Sequence, residues 1–194
     1  MKSFLFENIW ILSHKARRAR QISFHPKKNL IVGRNHTGKS SLIKTLFVTL
    51  GARPQGELLQ WDDNTVSLVD IRIDNTPFRV LHQRGYRALF DAKGKLIAAT
   101  GSHPEWSESF ATATGFNLVL TDKHQETVPA DARCFFIPFY INQDGSWQSG
   151  WDTFTGMQQY RAPIWSDSGV FHWHQAARIL RGEIKARPRE ETVG

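Results

Sequence analysis

Eight consecutive residues, Gly33-Arg34-Asn35-His36-Thr37-Gly38-Lys39-Ser40, have the types and spacing of a phosphate-binding loop, G-x-x-x-x-G-K-[ST]. A triphosphate is a flexible polyanion, held best by preorganised backbone N–H groups together with one mobile cation. Gly33 and Gly38 allow backbone conformations and close approaches that a side chain would obstruct. Lys39 offers an ammonium for the β and γ phosphates, and Ser40 offers a hydroxyl for Mg²⁺. Arg34, Asn35, His36, Thr37 and Ser41 complete the cradle. The expected ligands are ATP and Mg²⁺.

So short a motif also occurs by chance, and its flanks decide. Asn29-Leu30-Ile31-Val32 carries a short continuous apolar run of the kind found in a central strand buried on both faces. Beyond the loop, Leu42, Ile43, Leu46, Phe47 and Leu50 recur at helical spacing, and Gly51 and Pro54 stop the pattern. A strand, a loop and a helix in this order aim the positive helix end at the phosphates.

Upstream, two strands are expected at about Asn8 to Ser13 and Arg18 to Phe24, joined by a basic turn around Lys15 and Ala16. Downstream, Val66 to Ile73, Phe78 to His82 and Tyr86 to Phe90 read as an antiparallel meander punctuated by Asp74-Asn75-Thr76-Pro77 and Gly85, with a further short strand after Gly94. Ser102 and Glu105 have capping-box spacing for a helix running to about Thr114. Cys134-Phe135-Phe136-Ile137-Pro138-Phe139-Tyr140 reads as a buried strand with a core thiol, and a short helix is expected from Trp151. Trp10, Trp61 and Trp106 sit in patterns that suit core packing.

The chain's 194 residues suffice for a domain with a real core, and its single cysteine excludes an internal disulfide. No stretch approaches the roughly 18 apolar residues of a membrane span, so a cytoplasmic protein without a membrane partner is expected. A net charge of +7 is compatible with a polyanionic partner. The cluster Lys15, Arg17, Arg18 and Arg20, with Lys27 and Lys28 behind it, is either a DNA-binding face or a solvated hairpin.

Together the first hairpin and the loop resemble the N-terminal half of the SMC-like (RecF-like) ABC ATPase heads, including the SMC-like subunits of bacterial genome-defence systems such as Lamassu. His36 stands where that family usually carries glycine. The resemblance implies an α/β fold, the P-loop NTPase lobe of ABC-ATPase type, with an antiparallel β subdomain and a mixed sheet. It also implies DNA and a second head as partners. Tyr140-Ile141-Asn142-Gln143-Asp144 resembles a Q-loop, which makes Gln143 a nucleotide sensor that touches the magnesium shell or the attacking water. No Leu-Ser-Gly-Gly signature and no apolar run ending in Asp-Glu is present, and Asp62-Asp63 and Glu190-Glu191 follow no such run. Residues 1–165 are therefore expected to form a head lobe that binds nucleotide and needs a complementary lobe for hydrolysis. Residues 166–194 are expected to form a C-terminal tail in which the resemblance is lost from about Phe171, either as a divergent, truncated or disordered tail or through a frame lost between about Pro163 and Phe171.

Two rivals stand beside this reading. A self-contained P-loop kinase or NTPase needs its own catalytic carboxylate, and a guanine-specific enzyme needs an Asn-Lys-x-Asp motif that Thr121-Asp122-Lys123-His124 does not supply. A non-enzymatic nucleic-acid-binding module would keep the loop only as a vestige.

Overall fold

The computed structural model describes residues 3–35, 37–56, 62, 64–141 and 153–160. Their centre is a six-stranded antiparallel sheet formed by β1 (Phe4–Ser13), β2 (Arg18–Ser23), β3 (Val66–Ile73), β4 (Thr76–Gln83), β5 (Tyr86–Phe90) and β6 (Leu96–Thr100). The spatial order is β2-β1-β3-β4-β5-β6. The helices are α1 (Lys39–Thr49), α2 (His103–Thr114) and α3 (Ala132–Phe136), and a small hairpin pairs β7 (Val119–Thr121) with β8 (Thr127–Pro129). Every strand pair among the described residues is antiparallel, so the expected mixed sheet is not formed within them.

Period-two alternation decides which face of the sheet is buried. In β3, Ser67, Val69, Ile71 and Ile73 are buried, while Val66, Leu68, Asp70 and Arg72 are half-buried on the other face. Val80 and His82 of β4 and Leu89 of β5 share the inner face. Against it lie Leu46, Phe47 and Leu50 of α1, Trp106 and Phe110 of α2, and Phe136 of α3. The rings interlock: Phe47 lies 5.4 Å from Phe136 and 4.5 Å from Tyr140, and Phe110 lies 5.3 Å from Phe135. The Phe47–Phe136 and Phe110–Phe135 pairs are edge-to-face, a geometry that adds roughly 0.5–1.5 kcal/mol each beyond simple burial.

The end of α1 is closed three times over. Gly51, at φ 96°, donates to the Val48 carbonyl at 3.1 Å, and Ala52 donates to the Phe47 carbonyl at 2.8 Å, the paired bonds of a Schellman turn. Arg87 Nη2 donates to the Val48 carbonyl at 3.0 Å, and Trp106 Nε1 donates to the Leu50 carbonyl at 2.9 Å. These contacts satisfy carbonyls that a helix end otherwise leaves without partners.

Four expectations from sequence are corrected. Asn29–Val32 is an extended segment outside any sheet, with Leu30 87% and Val32 78% exposed. No described strand lies beside it to take its backbone bonds, and of its apolar residues Ile31 alone is half-buried among the described residues. The run around Cys134 is α3 followed by a 3-10 turn, Ile137–Phe139, because Asp131 caps the helix by accepting from Arg133 N–H at 2.8 Å. Cys134 is buried all the same, and burial, followed by the Asp131 charge, pushes its thiol up. The capping box at α2 does not close: Thr100 Oγ1 donates to Glu105 at 2.5 Å and accepts from Ser102 N–H at 2.9 Å, taking both box partners. Trp10 is half-buried on the outer sheet face with the Arg79 guanidinium 5.6 Å from its ring, whereas Trp106 is fully buried. Trp61 and the start of the helix expected at Trp151 lie outside the described residues, as do residues 161–194.

The pieces on either side of residues 142–152 are tied together by a buried polar hub. Asp131 accepts from Arg133 Nε at 2.9 Å, Gln159 Nε2 at 2.9 Å and Tyr160 OH at 2.9 Å, and it pairs with Arg133 Nη2. Arg133 Nη1 in turn donates to the Thr155 carbonyl at 2.7 Å.

Candidate functional site

Gly38 holds φ at 85°, in the left-handed region, and turns the chain into α1. Among the described residues no side chain caps this helix, and no acidic residue occupies its first turn. The helical ladder opens with Leu42 N–H donating to the Gly38 carbonyl at 2.9 Å, so the preceding amides lie ahead of it at the positive helix end. Such an end is a ready-made anion site.

The loop ahead of it is folded on itself. Lys39 Nζ donates to the Gly33 carbonyl at 2.8 Å and to the Arg34 carbonyl at 2.6 Å, while Thr37 Oγ1 donates to the Arg34 carbonyl at 2.8 Å. A methyl group at Gly33 would stand 2.9 Å from Thr37 Oγ1, so glycine is what lets the loop close this tightly. Gly38 has nothing within 4 Å of where a Cβ would be, and its requirement is conformational. For Lys39 to meet an anion at the helix end it exchanges these carbonyls for phosphate oxygens.

The structure therefore brings Gly33, Arg34, Asn35, Thr37, Gly38, Lys39, Ser40 and Ser41 together around the start of α1. Ser40 is exposed, and the Ser41 carbonyl accepts from Thr45 Oγ1 at 2.6 Å. His36 and Gln143 lie outside the described residues. The donors suit a triphosphate: uncapped amides, one ammonium and a hydroxyl beside it. Ser40 presents an exposed hydroxyl at the start of α1, an oxygen of the kind that hard cations take.

Beside the loop runs a groove of about 930 Å³. One wall is the face of α1 bearing Ser41, Leu42 and Thr45, and another is the extended segment Leu30, Ile31 and Val32. The third is the first hairpin. Antiparallel register pairs Ile9 with Ile22, Ile11 with Arg20 and Ser13 with Arg18. Paired residues share a face, and Ile9 is buried in the core, so Arg18 and Arg20 rise from the core-side face and line the groove. Sequence alone places these arginines in a basic cluster; the signal that assigns them to the groove is strand parity counted from Ile9.

Asp62 also lines the groove and anchors the hairpin turn. Its carboxylate accepts from Asn64 N–H at 3.0 Å, Lys15 N–H at 3.2 Å and Ser13 Oγ at 3.0 Å. The Asn64 amide is the largest influence on its carboxyl group, which sits below the usual carboxylate range. Lys15, Arg17, Lys27 and Lys28 are exposed, as a basic patch requires.

At the opposite end of α1, His82 and Arg87 are paired across β4 and β5 on the inner face. His82 Nδ1 and Arg87 Nε have no hydrogen-bond partner among the described residues. Burial, then the charge of Arg87, lowers the His82 imidazole to about 4, and burial lowers Arg87 to about 10. Neither residue lines the groove. Among the described residues no three His, Cys, Asp or Glu side chains gather as a metal site, and no helix is long and apolar enough to cross a membrane.

No family model matches the chain. It is similar to the Lamassu protein LmuB of Bacillus cereus (strain VD014), at 24% identity over 179 residues that cover 90% of this chain and 30% of that protein. It is also similar to the Lamassu protein LmuB of Bacillus sp. (strain NCIM 5461 / CCTCC AB 2011126 / NIO-1130), at 29% identity over 143 residues, 72% of this chain and 25% of the other. The chain thus spans less than a third of the length of the curated relatives it matches.

Proposed function

We propose that this chain is the nucleotide-binding lobe of an SMC-like ATPase head that works on DNA, in a genome-defence system of the Lamassu kind or in DNA repair or chromosome maintenance. The observation that carries the reading is the union of a complete G-x-x-x-x-G-K-S motif with an uncapped helix start that opens on a groove. Similarity to two Lamassu LmuB proteins supports the defence context.

In this reading the amides from Gly33 to Ser41 hold the triphosphate of ATP, Lys39 neutralises its β and γ phosphates, and Ser40 holds Mg²⁺. Bound magnesium supplies charge neutralisation at the phosphates. Gln143 acts as the sensor. The exposed Leu30 and Val32 are covered in the complete head by a complementary lobe, which supplies the acidic catalytic residue and completes a mixed sheet. A second head then closes over the nucleotide, and the lone lobe binds ATP without turning it over. DNA meets the basic hairpin tip at Lys15 and Arg17.

Titration of the full chain with ATP and Mg²⁺, before and after Lys39→Ala, tests this. A loss of at least about tenfold in affinity is expected, since a charge-assisted contact of this kind contributes roughly 1.5–3 kcal/mol. Equal affinity in both proteins would sink the reading.

A further inference from the structure

We infer that Ser67, Thr49 and Thr45 are positioning residues for the phosphate loop: a ladder of buried hydroxyls runs from β3 along α1 and fixes the peptide unit on which Gly38 rests. The inference depends on the nucleotide reading above and adds to it residues that set the loop's place without touching the ligand.

The directions of the bonds follow from the atoms. Thr49 Oγ1 donates to the Thr45 carbonyl at 2.7 Å, which uses its one proton, so in the 2.7 Å contact between Thr49 Oγ1 and Ser67 Oγ the serine is the donor. Thr45 Oγ1 donates in turn to the Ser41 carbonyl at 2.6 Å. That carbonyl shares a planar peptide unit with the Leu42 N–H, which donates to the Gly38 carbonyl at 2.9 Å. The unit is therefore held on one side by Thr45 and on the other by Gly38, whose φ of 85° turns the loop into the helix. Releasing the Thr45 bond frees this plane to rotate, and Gly38 and the amides ahead of it move with it.

Burial shows why directional bonds are needed here. Residues 44–50 are buried, whereas Lys39, Ser41, Leu42 and Ile43 are half-buried and Ser40 is exposed. Apolar contact is non-directional and grips the far half of α1, while hydrogen bonds fix distance and angle at the near half. Hydroxyls that bond back to the preceding turn slightly destabilise a helix, so buried threonines at 45 and 49 work against the stability of α1 itself. Thr45 and Ser67 are 1% exposed and Thr49 is 0% exposed, so water does not replace a hydroxyl removed from the ladder.

The test is calorimetric titration of the full chain with the magnesium complex of inorganic tripolyphosphate, at a temperature below the melting of every variant. Thr45→Val, Thr49→Val and Ser67→Ala should each weaken binding by about three- to tenfold, the equivalent of one lost hydrogen bond, and Thr45→Ser and Thr49→Ser should stay within about twofold of wild type. Thr49 and Ser67 share a bond, so their double variant should be within about twofold of the weaker single one. Tyr160→Phe loses hydroxyl bonds to Asp131 instead, and as a gauge of general destabilisation it should change tripolyphosphate affinity by less than about twofold. The ladder is overturned if Thr45→Val binds as wild type while Lys39→Ala does not, if serine fails to rescue, or if Tyr160→Phe weakens binding as much as the ladder variants do. Ser67→Ala leaves α1 itself unaltered, so it reads the ladder even where a helix variant does not fold. Failure of the nucleotide reading looks different: Lys39→Ala would then leave tripolyphosphate binding unchanged, and the positioning role falls with it.

Discussion

The indole N–H of Trp106 donates to the carbonyl of Leu50 at 2.9 Å, so α2 grips the far end of the helix that begins at the glycine-rich loop. Gly51 makes room for the grip: a Cβ there would lie 2.5 Å from Trp106 Nε1, at a φ of 96° that disfavours side chains.

Trp106→Phe should destabilise the chain by about 2 kcal/mol, because a buried carbonyl loses its donor and a void opens. Gly51→Ala should cost at least about 1 kcal/mol through the same contact. Urea unfolding reads both as lower midpoints at an unchanged slope. An unmoved midpoint in either variant would show that the helix end is held by something else.

His82 sets an acid limit. Its folded pKa of about 4 lies below the ordinary 6.5, so the unfolded chain takes up a proton that the folded chain refuses. The resulting stability is fully present above pH 6.5 and is lost as pH falls through 4. Each tenfold change in proton affinity is worth about 1.4 kcal/mol, so the loss amounts to about 3 kcal/mol. His103, lowered first by burial and then by the Arg133 charge, adds in the same direction. In His82→Leu most of the slope between these limits should vanish, and an unchanged slope in stability measured against pH would exclude His82 as its source.

Asp131 and Arg133 are a buried pair with side chains 7% and 11% exposed. Burial opposes ionisation of Asp131, but the hydrogen bond and charge of Arg133 outweigh it and hold the carboxyl below its ordinary value. Asp131→Ala leaves the guanidinium buried without its counter-charge and should cost about 3–5 kcal/mol. Tyr160→Phe removes a hydroxyl that donates to the Asp131 carboxylate at 2.9 Å and accepts from the Asp131 N–H at 3.0 Å, and should cost about 1–3 kcal/mol. Thermal unfolding checks the ranking, which fails if the tyrosine variant is the weaker protein.

The hairpin tip and the groove can be separated by salt. If Lys15 and Arg17 each meet a DNA phosphate, Lys15→Ala with Arg17→Ala should flatten the slope of log affinity against log salt by about 1.8, twice the roughly 0.9 per contact of duplex DNA. ATP affinity should be untouched. A slope that stays the same assigns these side chains to solvent.

Where local pattern and local partner coincide, sequence alone suffices. The alternation of Val66 to Ile73, the turns at Asp74 and Gly85, and the spacing of Leu42 to Leu50 each predict their element, because strand parity and helical period are properties of a few neighbouring residues. Leu30 to Val32 misleads because an apolar run encodes only a demand for burial, and its partner is not among the described residues. Cys134 to Tyr140 misleads for a different reason: Asp131, three positions upstream, supplies a helix cap that outweighs the strand preference of the aromatic run. In the site, the loop residues follow from their motif. The placement of Arg18 and Arg20 emerges only once Ile9 shows which hairpin face is buried.

The unpaired segment at Leu30 to Val32 also bears on handling the molecule. An extended apolar stretch beside which no described strand pairs invites strand addition by a similar chain, so self-association of this chain through it is expected. Pro26, Lys27 and Lys28 stand just upstream as gatekeepers, one unable to donate a ladder bond and two repelling their own copies. Neutralising those lysines would remove that repulsion and favour aggregation through the segment.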